Sequence, residues 1–255
     1  MTDTRPKTAL VISAHAADFV WRCGGAIALH SGVGYEVAVA CLSFGERGES
    51  ARLWKEGRGL DKVKAIRRGE AETAAEVLGV HALECFDLGD YPLRLTDDDK
   101  LRLVDLIRAV QPRFMLSHSQ YDPYNTDHMY ATQVALECRM IAQAWGHNPG
   151  EKGLGAPQLY LFELHQTEQM GWKPDTFLDI TRSGRRSARR WRRCRARCIC
   201  GTTTPARPSS ARTTSSVIRA ARPAGVTASA PRGFSRSFRA PWTSCSARGA
   251  RRRGA

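Results

Sequence analysis

Short unbroken apolar runs and longer stretches with apolar residues at helical spacing take turns along the first 181 residues. The run Ala9-Leu10-Val11-Ile12-Ser13-Ala14, which stops abruptly at His15, reads as a buried strand. Phe19 to Ser31 carries Val20, Trp21, Ile27 and Leu29 and halts at Gly32 and Gly34, the pattern of a helix. Glu36 to Phe44 predicts a second strand, which runs into the loop Gly45-Glu46-Arg47-Gly48-Glu49-Ser50. Val63, Ile66, Ala74, Val77 and Leu78 ahead of Gly79 predict an amphipathic helix, and Leu83 to Leu88 a third strand. Thr96 and Asp99 form a capping box for a helix from Leu101 to Val110, which Pro112 ends. Phe114-Met115-Leu116 is a short fourth strand, followed by the polar loop Ser117 to His128 and a helix from Tyr130 to Trp145. Gln158 to Leu164 forms a fifth strand that delivers His165 at its end. The repeating order of strand, loop and helix predicts one α/β domain with a mainly parallel sheet.

On that pattern the candidate chemistry collects at one edge. His15 and Asp18, Glu46 and Glu49, the segment His118 to His128, and His165 all follow carboxyl ends of predicted strands, where ligands bind in open α/β sheets. An imidazole and a carboxylate three residues apart on one turn can reach a single ion, so His15 and Asp18 suggest a metal site, with a helix-capping Asp beside an incidental His as the bland alternative. Glycines in the 45–50 loop let the backbone approach a ligand closely, and adjacency of the first two strands would bring Glu46 and Glu49 near His15. Arg67 and Arg68 are expected to face solvent or to pair with Glu70 and Glu72. His30, His81 and His147 lie in no motif and are assigned to core or surface.

Charge divides the chain in two. The 255 residues carry a net charge of +14, yet 20 of the 39 basic residues, all arginine, lie beyond Thr181, where Asp and Glu are absent. The first 181 residues hold the other 19 basic residues against 25 acidic ones, a mildly acidic balance of −6. The N-terminus lacks the apolar core of a signal peptide and no apolar run is long enough to span a membrane, so a cytoplasmic enzyme is expected. Cys23, Cys41, Cys85 and Cys138 are scattered singly, as reduced core thiols are. For residues 182–255, rich in Arg, Ala, Ser and Pro, three accounts compete: a basic nucleic-acid arm, a metal cluster of Cys194, Cys198 and Cys200, and a shift of reading frame near Thr181. The third is preferred, with a poorly ordered segment as its consequence. Cys198-Ile199-Cys200-Gly201-Thr202-Thr203-Thr204 can be encoded so that an offset of two bases gives His-Leu-Trp-Asp-Tyr-Tyr, an aromatic segment. Resequencing the gene checks this, and an intact frame matched by the mass of the natural protein would remove it.

The motifs Ala14-His15-Ala16-Ala17-Asp18 and Asp127-His128 resemble the hallmarks of the PIG-L/LmbE-like family of zinc-dependent N-deacetylases, over roughly residues 8–181. The resemblance implies a Rossmann-like three-layer domain and Zn2+, or another divalent metal, held by His15, Asp18 and His128. In the deacetylases the first Asp of the opening motif activates water, whereas here Ala17 stands at that position, and a methyl group accepts no proton. The segments Ser13 to Arg22, Leu42 to Trp54, Phe86 to Arg94 and Asp122 to Asn125 are similar to the branch of the family that hydrates 4-oxalomesaconate.

That resemblance implies a metal-dependent hydro-lyase acting on a small oxo-tricarboxylate in gallate or protocatechuate meta-cleavage. Glu49 and His165 are the preferred base and acid, with Glu46 the fallback for Glu49. Arg47 and Arg52 suit substrate carboxylates, and His118 and Asn125 are further candidate substrate contacts, His118 also a candidate support for a ligand. The runner-up is a zinc-dependent deacetylase of small acetylated sugars or amines, with Glu49 replacing the missing Asp. A third reading is a nucleic-acid-binding protein on an inactive enzyme scaffold. No membrane partner is expected, and a homo-oligomer is compatible with the sequence.

Overall fold

In a computed structural model, residues 7–147 and 154–180 are described, together with the backbone of two short strands beyond them. β1 (Thr8–Ser13) is buried along its whole length because it lies inside the sheet with helices on both faces. It is followed by α1 (Asp18–Trp21), α2 (Gly24–Gly32), β2 (Glu36–Cys41), α3 (Ala51–Lys55), α4 (Leu60–Leu78), β3 (Ala82–Cys85) and α5 (Asp97–Val110). Then come β4 (Phe114–Ser117), α6 (Thr126–Gln143), β5 (Gln158–Phe162), β6 (Thr176–Asp179), β7 (Val217–Ala221) and β8 (Trp242–Ser244). The sheet order is β3-β2-β1-β4-β5-β7-β6-β8, parallel through β5 and antiparallel beyond it.

Alternation along β1 assigns the two covering layers. Leu10 and Ile12 join Leu103, Val104 and Ile107 of α5 and Val134, Ala135 and Cys138 of α6 in one core. Ala9 and Val11 join Phe19, Ala26 and Ile27 on the first two helices and Ala71, Ala74 and Leu78 of α4 in the other. Burying each such large aliphatic side chain contributes about 1.5–3 kcal/mol before chain entropy is charged against it. The expected α/β fold with a mainly parallel sheet is therefore present. β1 pairs with β2 on one side and β4 on the other, so the chain reverses its direction of travel across the sheet between these strands. The crevice beyond their carboxyl ends is the place such a fold offers a ligand.

Several elements depart from the sequence expectation. The single helix expected from Phe19 to Ser31 is two, because Cys23 leaves helical geometry (φ −134, ψ 10) just before the weak helix formers Gly24 and Gly25. α6 begins at Thr126, earlier than expected, because the side chain of Asn125 accepts the backbone N–H of Asp127 and starts the helix there. α3 and β6, at five and four residues, are too short to leave a periodic signature. The Thr96–Asp99 capping box is present as expected, and Gln111 ends α5 in the left-handed region. No helix among the described residues is long and apolar enough to cross a membrane. Apart from the strands β7 and β8, the segment 182–255 and the expectations attached to it lie outside the described residues.

Candidate metal centre

β1 ends at Ser13, and the turn that follows folds Asp18 back on His15. The backbone N–H of His15 donates to Asp18 Oδ2 at 3.0 Å, and Nδ1 of the same residue lies 3.0 Å from that oxygen. From across the crevice, the first turn of α6 brings His128 Nε2 to 3.3 Å from Asp18 Oδ2. One donor atom from each of these three buried residues lies within 4.8 Å of the other two.

The outward nitrogens of both imidazoles face carboxylates. His15 Nε2 is 3.4 Å from Asp127 Oδ2, and His128 Nδ1 is 2.9 Å from Asp122 Oδ2. An imidazole with one nitrogen aimed at a shared point and the other held by a carboxylate is the arrangement that orients metal ligands and fixes their tautomers. Two nitrogens and one carboxylate oxygen also form a donor set that a divalent transition ion accepts while keeping positions open for water or substrate. The residues therefore fit a catalytic metal ion.

Electrostatics argue the same way. Burial would raise the carboxyl of Asp18, but the neighbouring His118 and His128 and its own hydrogen bonds hold it well below its ordinary value. Burial opposes charge on His15, yet hydrogen bonds to Asp127 and Asp18 push it up to about 10. Asp122 and Asp127 are also shifted downward against burial, by His128 and His15 respectively. These three buried carboxylates draw positive charge onto the imidazoles between them, a demand that a bound cation would also meet.

A loop after β2 supplies the next wall. The Glu49 side chain is a quarter exposed and stretches between Arg67 Nη2 at 2.8 Å and His15 Nδ1 at 4.0 Å. Loss of water and the nearby Asp18 charge push its carboxyl up to about 7. Gly45 takes φ +68, and a Cβ there would fall 2.4 Å from Glu49 Oε2, so the residue must be glycine for the carboxylate to keep its place. A Cβ on Gly48 would penetrate the ring of Tyr91, 1.9 Å from its nearest carbon. Tyr91 in turn lies parallel to the His15 ring, centroids 5.7 Å apart. Asp90 clamps the two loops by accepting the backbone N–H groups of Arg47 and Gly48, and Asp127 accepts those of Tyr91 and Leu93.

The structure thus gathers His15, Asp18, His128, Glu49, His118, Asn125 and His165 around one centre. His118 is buried, accepts the N–H of Ala14 through Nε2 at 2.9 Å, and stacks on His128 at 4.1 Å. The side-chain amide of Asn125 donates to Tyr91 Oη and lies 3.0 Å from His128 Nε2. His165 is 47 % exposed, with its ring stacked 5.4 Å from that of His128. Three candidates make their described contacts elsewhere. Glu46 is fully buried, has no hydrogen-bond partner for either carboxylate oxygen among the described residues, and lies 3.9 Å from Lys64. Arg47 bonds the carbonyl of Asp90, and Arg52 is an exposed partner of Glu56 at 3.7 Å. Arg67 pairs with Glu70 as expected but does not face solvent: it is buried and also donates to the carbonyl of Phe44.

Asp122, Tyr91 and Arg67 were missing from the candidates drawn from the sequence. Tyr91 and Arg67 act through partners distant in the chain, His15 and Glu49, and Asp122 meets His128 six residues on, across the turn into α6, so no local pattern marks them.

Comparison with known proteins adds four findings. The family model described as PIG-L, GlcNAc-PI de-N-acetylase, matches residues 10–139. A 4-oxalmesaconate hydratase of Pseudomonas putida KT2440 is 61% identical over 180 residues, 70% of this chain and 69% of that protein. Among solved structures, GalB, the 4-carboxy-2-hydroxymuconate hydratase of the same strain, superposes with a TM-score of 0.72 and 48% identity, covering 88% of this chain and all of that one. N,N'-diacetylchitobiose deacetylase from Pyrococcus horikoshii gives a TM-score of 0.63 at 25% identity, over 76% of this chain and 72% of that one.

Proposed function

We infer the activity from one premise: the chain belongs to the PIG-L family. It is a hydro-lyase, a hydratase that adds water to the carbon–carbon double bond of 4-oxalomesaconate and gives 4-carboxy-4-hydroxy-2-oxoadipate. 4-Carboxy-2-hydroxymuconate is the enol tautomer of the same compound, so the two hydratase relatives point to one substrate. The carrying observation is the 61% identity to a hydratase. Ala17 stands at the position where the deacetylases of the family carry their base, so that alternative would depend on Glu49 in its place.

His15, Asp18 and His128 would hold the divalent ion, for which we propose zinc. The ion would supply Lewis acidity toward a substrate oxygen, favouring the electron-rich form that water addition creates. The remaining chemistry falls to side chains. Glu49, with its proton affinity brought near neutrality and one oxygen anchored by Arg67, takes the proton that the attacking water loses. His165, exposed at the mouth and stacked on His128, returns a proton to the substrate carbon. Arg47 is the cation of the 45–50 loop offered to a substrate carboxylate, while Arg52 requires release from Glu56 before it can serve.

The test is direct. Purified protein loaded with metal should discharge the conjugated absorbance of 4-oxalomesaconate and release no acetate from diacetylchitobiose, and acetate release alone would favour the deacetylase. A second expectation concerns Asp127, which holds His15 and the backbone of Tyr91 and Leu93. Asp127→Asn should weaken ion binding by about 10- to 100-fold, measured by competition with a chromophoric chelator. Unchanged affinity would remove Asp127 from the centre.

A further inference from the structure

We propose that a second divalent cation binds between Asp122 and His165, next to the first centre, and that its binding inhibits the enzyme. Asp122, His128 and His165 form a second group in which one donor atom of each lies within 4.8 Å of the other two. His165 Nδ1 and Asp122 Oδ2 are 3.8 Å apart. That gap is too long for a hydrogen bond, yet two metal–ligand bonds of about 2.0–2.2 Å each span it. The other oxygen of the same carboxylate, Asp122 Oδ1, is buried and has no hydrogen-bond partner among the described residues. The carboxylate therefore keeps acceptor capacity that its bond to His128 does not use. The His165 side chain is 47 % exposed, which leaves it open to an ion arriving from solution.

Affinity follows from the donor count. His128 Nδ1 is engaged by Asp122 at 2.9 Å while its Nε2 faces the first centre. The second ion consequently has two protein ligands, Asp122 and His165, and completes its shell with water, so it binds more weakly than the first. Inhibition follows from identity, since His165 is the proposed proton donor and an imidazole bound through a metal no longer stands free to serve. This part of the inference rests on the role given to His165 above, whereas the binding site itself does not.

Calorimetric titration of metal-free protein with Zn2+ reads the two parts separately. The wild type should show two events, tight then weak. His165→Ala should keep the tight event and lose the weak one, and Asp18→Asn should lose the tight one. Asp122→Asn should lose the weak event and also loosen the tight event by about 10- to 100-fold, because Asp122 orients His128. A single wild-type event saturating at one equivalent, or a weak event that survives in His165→Ala, overturns the second site. Absence of the tight event with the weak one behaving as stated would instead refute the first centre and leave this inference standing. In the activity assay, Zn2+ at ten times the weaker dissociation constant should leave about a tenth of the rate by simple occupancy. A rate that persists there overturns the inhibitory part.

Discussion

Asp18→Asn should leave the fold intact, empty the metal centre and reduce hydration roughly 10³-fold or more, the rate equivalent of about 4 kcal/mol. The substitution is nearly isosteric, and its amide oxygen can still accept the His15 N–H that folds the turn after β1. What it removes is the only carboxylate among the three residues that share the centre. Two imidazoles remain, with no anionic partner to offset the charge of the ion. Metal content per protein, far-ultraviolet circular dichroism and substrate turnover on one preparation check this. A variant that kept its ion and its rate would show that Asp18 serves only to shape the turn.

Glu49→Gln should retain the ion and lower kcat by about 10²- to 10⁴-fold, with KM little changed. The amide keeps the size of the side chain and one oxygen for Arg67, but it cannot take a proton from water. Glu46→Gln should cost much less, since the Glu46 carboxylate is sealed beside Lys64 and its described contacts do not include the metal centre. If Glu46→Gln proved the more damaging change, the base would move to Glu46 and the 4.0 Å approach of Glu49 to His15 would be incidental.

The sheet was legible because strands buried on both faces read as unbroken apolar runs, and β1, β2 and β4 all do so. Helix endings were legible where local chemistry sets them, as at the Thr96–Asp99 box and at Gly79. The break at Cys23 was not, since apolar spacing continues across it while backbone geometry does not. In the centre, His15 and Asp18 were visible as close neighbours at a strand end. His128 lies far along the chain, and only the family resemblance joined it to them. Asp122 lies in a polar loop and Asp127 in the first turn of the helix that follows, within one polar stretch of the sequence. Asp127 stood out only as part of the Asp127-His128 motif, and the support each gives to His15 or His128 shows only in their positions opposite those rings. Arg67 misled for a related reason. Its helix places it toward the 45–50 loop, and a buried guanidinium with a carboxylate on each side looks, in sequence, like any charged helical pair.

Hydration by this chain, as proposed, depends on one ion at His15, Asp18 and His128. Mass spectrometry of the product made by chelator-treated protein, before and after one equivalent of Zn2+ is restored, tests it most directly. The expected product is heavier than 4-oxalomesaconate by one water and forms only after the ion is restored. The same product at full rate from metal-free protein, or no hydrated product from the restored enzyme, would contradict that proposal.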